Sequence, residues 1–287
     1  MKRDFYQKYS LIFLLILTNL FIWSYHIENR GRDLLKVYFL DVGQGDSILI
    51  EAPNGRQLLI DGGRDSSVLN ELGRVMGFFD RSIDIVLATH PDADHVTGLP
   101  LVLDRYRVET FIDSIAEAES LPYTALQQKA RGEGAEYYVG FRGMVITLDE
   151  EAGVYLHVLY PYDDEFRFTD TNDLSIITKL VYGDTSFMLT GDAPKIVETM
   201  LTTTDGEYLK SSVLKAGHHG SNTSSGTSFV EMVDPEYVVI SAGRDNSYGH
   251  PHPEVIETFE EQGAEIHSTI EEGTIEFRSN GFDVWVK

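Results

Sequence analysis

An α/β domain of the αββα sandwich type, four layers deep, is predicted by three features of the sequence. Short β-rich runs alternate with helical patterns, three of the later runs end in acid or imidazole, and no internal repeat or low-complexity linker interrupts them. A chain of 287 residues, 42% of them hydrophobic, can bury one sizeable core, so a single domain over residues 31–287 is expected behind a compositionally distinct segment over residues 1–30. Cysteine is absent, which excludes disulfides and thiolate ligation and leaves His, Asp, Glu, Asn or water to hold any metal. Hydrolytic chemistry is favoured over redox chemistry for that reason.

Leu11 to Trp23 is apolar apart from Thr18 and Asn19, and it follows the basic residues Lys2, Arg3 and Lys8. Extended from Tyr9 to Ile27 it reaches 19 residues, just the length needed to span a bilayer. With no small-x-small site after it, an uncleaved single-pass anchor or signal segment in the cell membrane is expected. The distribution of Lys and Arg leans towards an extracytoplasmic domain, with secretion as the alternative.

Beyond residue 27 the chain carries a net charge of −25, because the first 27 residues hold three Lys/Arg and one Asp of chain totals of 23 and 46. Such a field opposes tight, sequence-independent binding of a duplex through its phosphates.

Strands are expected over Lys36–Asp41, Ser47–Glu51 and Gln57–Asp61, with Pro53-Asn54-Gly55 turning between the second and third. After a helix near Ser66–Phe79, the apolar run from Ile83 to Ala88 reads as a buried strand that delivers His90 to its C-terminal end, where α/β proteins place chemistry. Later, Ser175–Tyr182 and Ser186–Thr190 read as strands paired across Gly183-Asp184, the second ending at Gly191-Asp192, and Pro194 suits the first turn of a helix. Ser212–Ala216 runs into Gly217-His218-His219-Gly220-Ser221, and Tyr237–Ser241 runs on towards His250.

The chemistry centres on His90-Pro91-Asp92-Ala93-Asp94-His95, where six residues supply four potential ligands. Alternate residues of an extended loop point to different sides, so His90 and Asp92 can address one cation while Asp94 and His95 address a second.

At this motif the sequence resembles the metallo-β-lactamase superfamily, whose usual motif is His-x-His-x-Asp-His with further ligands on later strand ends. Asp41-Val42-Gly43-Gln44-Gly45-Asp46, the His-His-Gly-Ser run at 218–221 and Tyr248-Gly249-His250-Pro251-His252 further resemble the hydrolase domain of ComEC-type DNA-uptake proteins and related secreted phosphoesterases. ComEC proteins carry many membrane spans, so a role as an uptake channel does not transfer. The resemblance implies the metallo-β-lactamase fold, with Asp61 as a buried aspartate that orients the ligand loop, Asp192 as a bridging carboxylate and His218 as a late imidazole ligand. Asp92 stands in place of the usual second histidine, and Asn172 stands where another histidine ligand is usual. Oxygen in place of nitrogen hardens the first site, making Mn²⁺ as credible as Zn²⁺.

The expected site therefore holds two divalent ions, Zn²⁺ or Mn²⁺. His90, Asp92 and Asp192, completed by Asn172 or water, take one; Asp94, His95, Asp192 and His218 take the other. Water shared between them would be the nucleophile. His219 is assigned to polarising substrate or protonating the leaving group; Ser221, His250 and Gln44 to substrate contact, and Asp46 to a supporting position near the cluster. The substrate expected is a phosphoester, either single-stranded nucleic acid or a smaller phosphodiester, with no protein partner inferred. A lactone or thioester hydrolase and a non-catalytic, metal-stabilised surface module are the alternatives.

Overall fold

The computed structural model describes residues 13–19, 34–132, 134–162 and 170–287. A short helix, α1, covers residues 13–19, its side chains facing solvent. Among the described residues no helix is long and apolar enough to cross a membrane, which overturns the single-pass assignment and the extracytoplasmic placement built on it. The rest of the stretch from Tyr9 to Ile27 lies outside the described residues.

The expected meander opens the domain as β1 (Leu35–Phe39), β2 (Ile48–Glu51) and β3 (Gln57–Ile60). Its second turn is closed by Gly55 N–H on Ala52 O at 2.8 Å and Ala52 N–H on Arg56 O at 2.9 Å. Helix α2 (Ser67–Val75) stops short of Phe79: the backbone turns extended at Met76, and Phe78 and Phe79 stand in solvent. Then come β4 (Ser82–Leu87), α3 (Ala93–Val96), α4 (Leu99–Arg105), β5 (Arg107–Asp113), α5 (Leu121–Gly132), β6 (Glu136–Val139), β7 (Val145–Asp149) and β8 (Val154–Tyr160). The second half contributes β9 (Ile177–Tyr182), β10 (Thr185–Leu189), α6 (Lys195–Thr204), β11 (Val213–Lys215), α7 (Thr227–Val233) and β12 (Tyr237–Ile240). It closes with α8 (Pro253–Gln262), β13 (Glu265–Ser268), α9 (Thr269–Glu272), β14 (Ile275–Ser279) and β15 (Val284–Val286).

These strands form two sheets, one of eight in the order β15-β14-β1-β2-β3-β4-β5-β6 and one of seven in the order β13-β12-β11-β10-β9-β8-β7. Three apolar layers hold them. Between the sheets, Val37, Phe39, Leu58 and Ile85 of the first meet Leu156, Leu180, Phe187 and Val239 of the second. Outside the first sheet, Val68, Leu72, Val102 and Leu126 of α2, α4 and α5 cover Leu49, Leu59 and Val86. Outside the second, Val197, Leu201, Val230 and Phe259 of α6, α7 and α8 cover Met188, Leu214 and Val238. The architecture is thus the expected αββα sandwich, each sheet apolar on both faces because both are covered.

Within the first sheet β3 to β6 run parallel, and within the second β10 to β13 do so. The loops after β3, β4, β10, β11 and β12 bring their side chains together at one edge of the sandwich.

Candidate metal centre

The loop before β2 is pressed against the ligand loop by glycine. Gly45 has φ +123°, and a Cβ there would sit 1.9 Å from the Asp94 carbonyl oxygen, so no other residue permits this approach. Asp46, next to it, enters the cluster from that side.

Asp61, immediately after β3, is fully buried with φ 58°. Its Oδ1 accepts the Thr89 N–H at 2.8 Å, and its Oδ2 accepts the Thr89 hydroxyl at 2.7 Å and His95 Nδ1–H at 2.8 Å. These bonds decide the tautomers. The Thr89 hydroxyl gives its one proton to Asp61, so at His90, 3.0 Å away, it is Nδ1 that donates. His219 Nδ1 donates to the Ser241 carbonyl at 3.0 Å and lies 3.3 Å from Asp46 Oδ1.

With every Nδ1 engaged, each Nε2 turns to one atom, Asp192 Oδ2: His95 at 3.2 Å, His219 at 3.3 Å and His90 at 4.0 Å. Asp94 closes the group, 3.4 Å from His219 Nε2. The Nε2 atoms of His90, His95 and His219, with Asp192 Oδ1 and Asn172 Oδ1, are buried and have no hydrogen-bond partner among the described residues. Leaving so many polar atoms unpaired is costly, at about 1–3 kcal/mol each, and a cation among them removes that cost. Ligand atoms of Asp46, His95, Asp192 and His219 all lie within 4.8 Å of one another, a nitrogen-and-oxygen donor set that fits divalent metal ions.

A family model for the metallo-beta-lactamase superfamily matches residues 40–244, well over half the chain. The chain belongs to the metallo-beta-lactamase superfamily. Within it, the chain is 29% identical over 260 residues to the ComE operon protein 3 of Bacillus subtilis (strain 168), covering 85% of this chain and 33% of that protein. It is 30% identical over 261 residues to the competence protein ComA of Neisseria gonorrhoeae, covering 88% of this chain and 34% of that protein. The match to recombination protein 2 of Haemophilus influenzae is similar, at 28% over 256 residues. The chain spans about a third of the length of these relatives. Among solved structures, the metallo-beta-lactamase fold protein YhfI of Bacillus subtilis superposes with a TM-score of 0.53 at 11% identity, over 87% of this chain and 99% of that one. The diiron β-hydroxylase CmlA of Streptomyces venezuelae gives 0.57 at 13%, over 85% and 54%. Fold and buried cluster together fit a metal-dependent hydrolase of the metallo-beta-lactamase superfamily.

The two adjacent histidines differ in burial. Both have left-handed backbone, φ 48° at His218 and 57° at His219, and this turn drives the His219 ring inward to full burial. His218, expected as the ligand, keeps its side chain 27% exposed with Nε2 3.6 Å from Asp192. Asp92 lies 3.9 Å from His90 Nε2 and accepts the Thr171 hydroxyl at 2.5 Å, so the turn carrying Asn172 rests against it.

Two expected substrate contacts are occupied otherwise. Gln44 is buried with Oε1 accepting the Gly243 N–H at 3.2 Å, which makes it a tie between loops. Ser221 is buried in its own turn, where its hydroxyl accepts from Thr223 N–H and Oγ1 at 3.3 and 3.0 Å. His250 does reach the mouth of the site, 5.6 Å from the His218 ring and stacked on the exposed Tyr248 at 5.6 Å between centroids.

Electrostatics sort these groups by charge. Burial, then the neighbouring His95, depresses His90 to about 3, and burial followed by the imidazoles of His218, His219 and His252 depresses His250 to about 4. Both are neutral at pH 7. Burial also opposes charge on His95 and His219, but Asp192 with Asp61 in one case and Asp46 in the other outweighs it and holds both well above the ordinary range. Burial works against the Asp192 charge too, and His219 and His95 overcome it. Asp92, further from imidazole, is raised by burial. Metal binding at these imidazoles requires loss of the Nε2 protons and so releases them.

Lys215, Thr89 and Ser241 escaped the sequence reading. For Lys215 the signal was a lysine closing the apolar run Val213-Leu214, a position that solvent rarely reaches.

Proposed function

We propose that the chain is a dinuclear phosphodiesterase, with His90, Asp92 and Asp192, aided by Asn172, around one divalent ion and Asp94, His95, Asp192 and His219 around the other. The observation that carries this reading is the convergence of three buried Nε2 atoms on Asp192 Oδ2, each fixed from behind through its Nδ1. His219 takes the ligand part first assigned to His218, because it is the buried one. Mn²⁺ and Zn²⁺ both suit the mixed donors.

Bound there, the cations would supply Lewis acidity and a water of lowered pKa. The protein's own groups do the rest. Asp61 holds His95 and, through Thr89, His90 in one tautomer. Neutral His250 and partly exposed His218 present hydrogen-bonding edges to the oxygens of a phosphoryl group at the mouth, and Tyr248 offers a flat apolar face beside them. The phosphoester reading is supported by the likeness to the competence protein ComA; within it, the chain's acidic balance suits a single strand or a small phosphodiester better than a duplex.

The full chain, loaded with Mn²⁺ or Zn²⁺, is expected to hydrolyse bis(p-nitrophenyl) phosphate faster than lactone or thioester substrates. Asp94→Ala should lose this activity by at least about a hundredfold. Equal rates for the two proteins, or a preference for the lactone or thioester, would overturn the assignment.

A further inference from the structure

Behind the cluster sits a buried cation. Lys215, at the end of β11, is fully shielded from solvent. Its ammonium contacts Asp46 Oδ2, lies 3.7 Å from Asp192 Oδ1 and donates to the Gly191 carbonyl at 3.0 Å. Asp192 is thereby divided: Oδ1 faces the ammonium while Oδ2 faces the imidazoles. Asp46 is divided likewise, Oδ2 to Lys215 and Oδ1 towards His219 Nδ1.

We propose that Lys215 is a resident counter-cation and positioning residue that balances the charge of Asp46 and Asp192 and holds their side chains in place before any metal arrives, at the expense of metal affinity. This rests on the reading that the cluster binds divalent ions. Two buried carboxylates side by side repel one another and are costly to desolvate unless a positive charge is near. In the metal-free protein the ammonium meets that need together with the His95 and His219 imidazoles, and it is the cation that no metal displaces. When divalent ions approach Asp192 from the Oδ2 side, the same ammonium repels them from the Oδ1 side through a medium of low dielectric. Stability without metal and affinity for metal are then linked, and Lys215 moves them in opposite directions.

The test compares the full-length wild type with Lys215→Met, which keeps a long unbranched side chain, and with the double variant Asp46→Asn/Lys215→Met. Thermal midpoints are measured in excess EDTA and in saturating Mn²⁺, and the Mn²⁺ dissociation constant by titration calorimetry. Lys215→Met should lose more midpoint in EDTA than in Mn²⁺ and bind Mn²⁺ at least about tenfold more tightly. The double variant should regain part of the EDTA loss. A Lys215→Met protein folded only in Mn²⁺ also meets the expectation. Equal losses in both media, or weaker Mn²⁺ binding, would show ordinary packing and overturn the proposal. Should Lys215→Met fail to fold in either medium, a double variant that folds yet binds Mn²⁺ no more tightly than wild type overturns it too. A wild type that binds neither Mn²⁺ nor Zn²⁺ is a separate result, which removes the metal reading itself and this proposal with it.

Discussion

Asp61 shows how a residue that touches no substrate can set a site's chemistry. It accepts Thr89 N–H, the Thr89 hydroxyl and His95 Nδ1–H, and so fixes two imidazoles at once, one directly and one through the threonine. Asp61→Ala strands these buried donors, and a loss of about 3–5 kcal/mol in urea unfolding is expected. Because the rings also lose their backing, Mn²⁺ affinity measured by titration should fall about 10–100-fold. At this scale the sequence was readable where chemistry is dense: His90, Asp92, Asp94 and His95 declare themselves in six residues, and Asp192 and Asp61 stand at strand ends. It was not readable between His218 and His219. Adjacent residues of one type carry the same chemical signal, and only the left-handed backbone at both positions decides which ring turns inward. Lys215 was hidden for a related reason, since a buried lysine is recognisable only once its carboxylate partners, distant in sequence, are in place.

Helix α6 supplies an element-scale device. Its Glu198 is buried, and its two carboxylate oxygens accept the Ser225 and Gly226 N–H groups at 2.7 and 2.8 Å, clasping the loop that follows the paired histidines. Burial raises this carboxyl from 4.5 to about 7 against the pull of those N–H groups and of Lys195. Between those values the unfolded chain has released the proton and the folded protein still holds it, so folding stability falls as pH rises from about 4.5 to about 7, by roughly 3 kcal/mol at most. Glu198→Gln should flatten the profile over that window, as measured by urea unfolding of both proteins in chelator at pH 4.5, 5.5, 6.5 and 7.5. An unchanged difference between the two across the series would contradict this. The elements that the sequence announced are those with a single local signature: the opening meander, the apolar β4 and the pair β9–β10 across Gly183. Strands β13 to β15 gave no such signature. β14 is defined by pairing with β1 from the other end of the chain, Val37 opposite Phe277, a partnership that local periodicity cannot show.

On the scale of the whole molecule, that late pairing ties the two sheets together. Phe277 packs edge-on against Phe39 of its own sheet and Phe187 of the other, with ring centroids 5.9 and 6.0 Å away. Phe277→Ala should destabilise the domain by about 3–5 kcal/mol in urea unfolding while leaving Mn²⁺ stoichiometry intact, because the cavity opens in the inter-sheet core rather than at the strand ends. The sandwich itself followed from the alternation of elements, whereas the membrane anchor expected from composition did not: among the described residues no helix has the length and apolarity to span a bilayer. What the sandwich accomplishes is to bring five loops to one edge, where imidazole Nε2 atoms with no hydrogen-bond partner among the described residues face the Asp192 carboxylate. Metal analysis of the full chain, after incubation with Mn²⁺ or Zn²⁺ and removal of the excess, tests this directly. Two equivalents per wild-type chain and a loss of at least one in Asp192→Ala are the predicted result; a wild type that retains no metal, or an Asp192→Ala variant that retains as much as wild type, would contradict it.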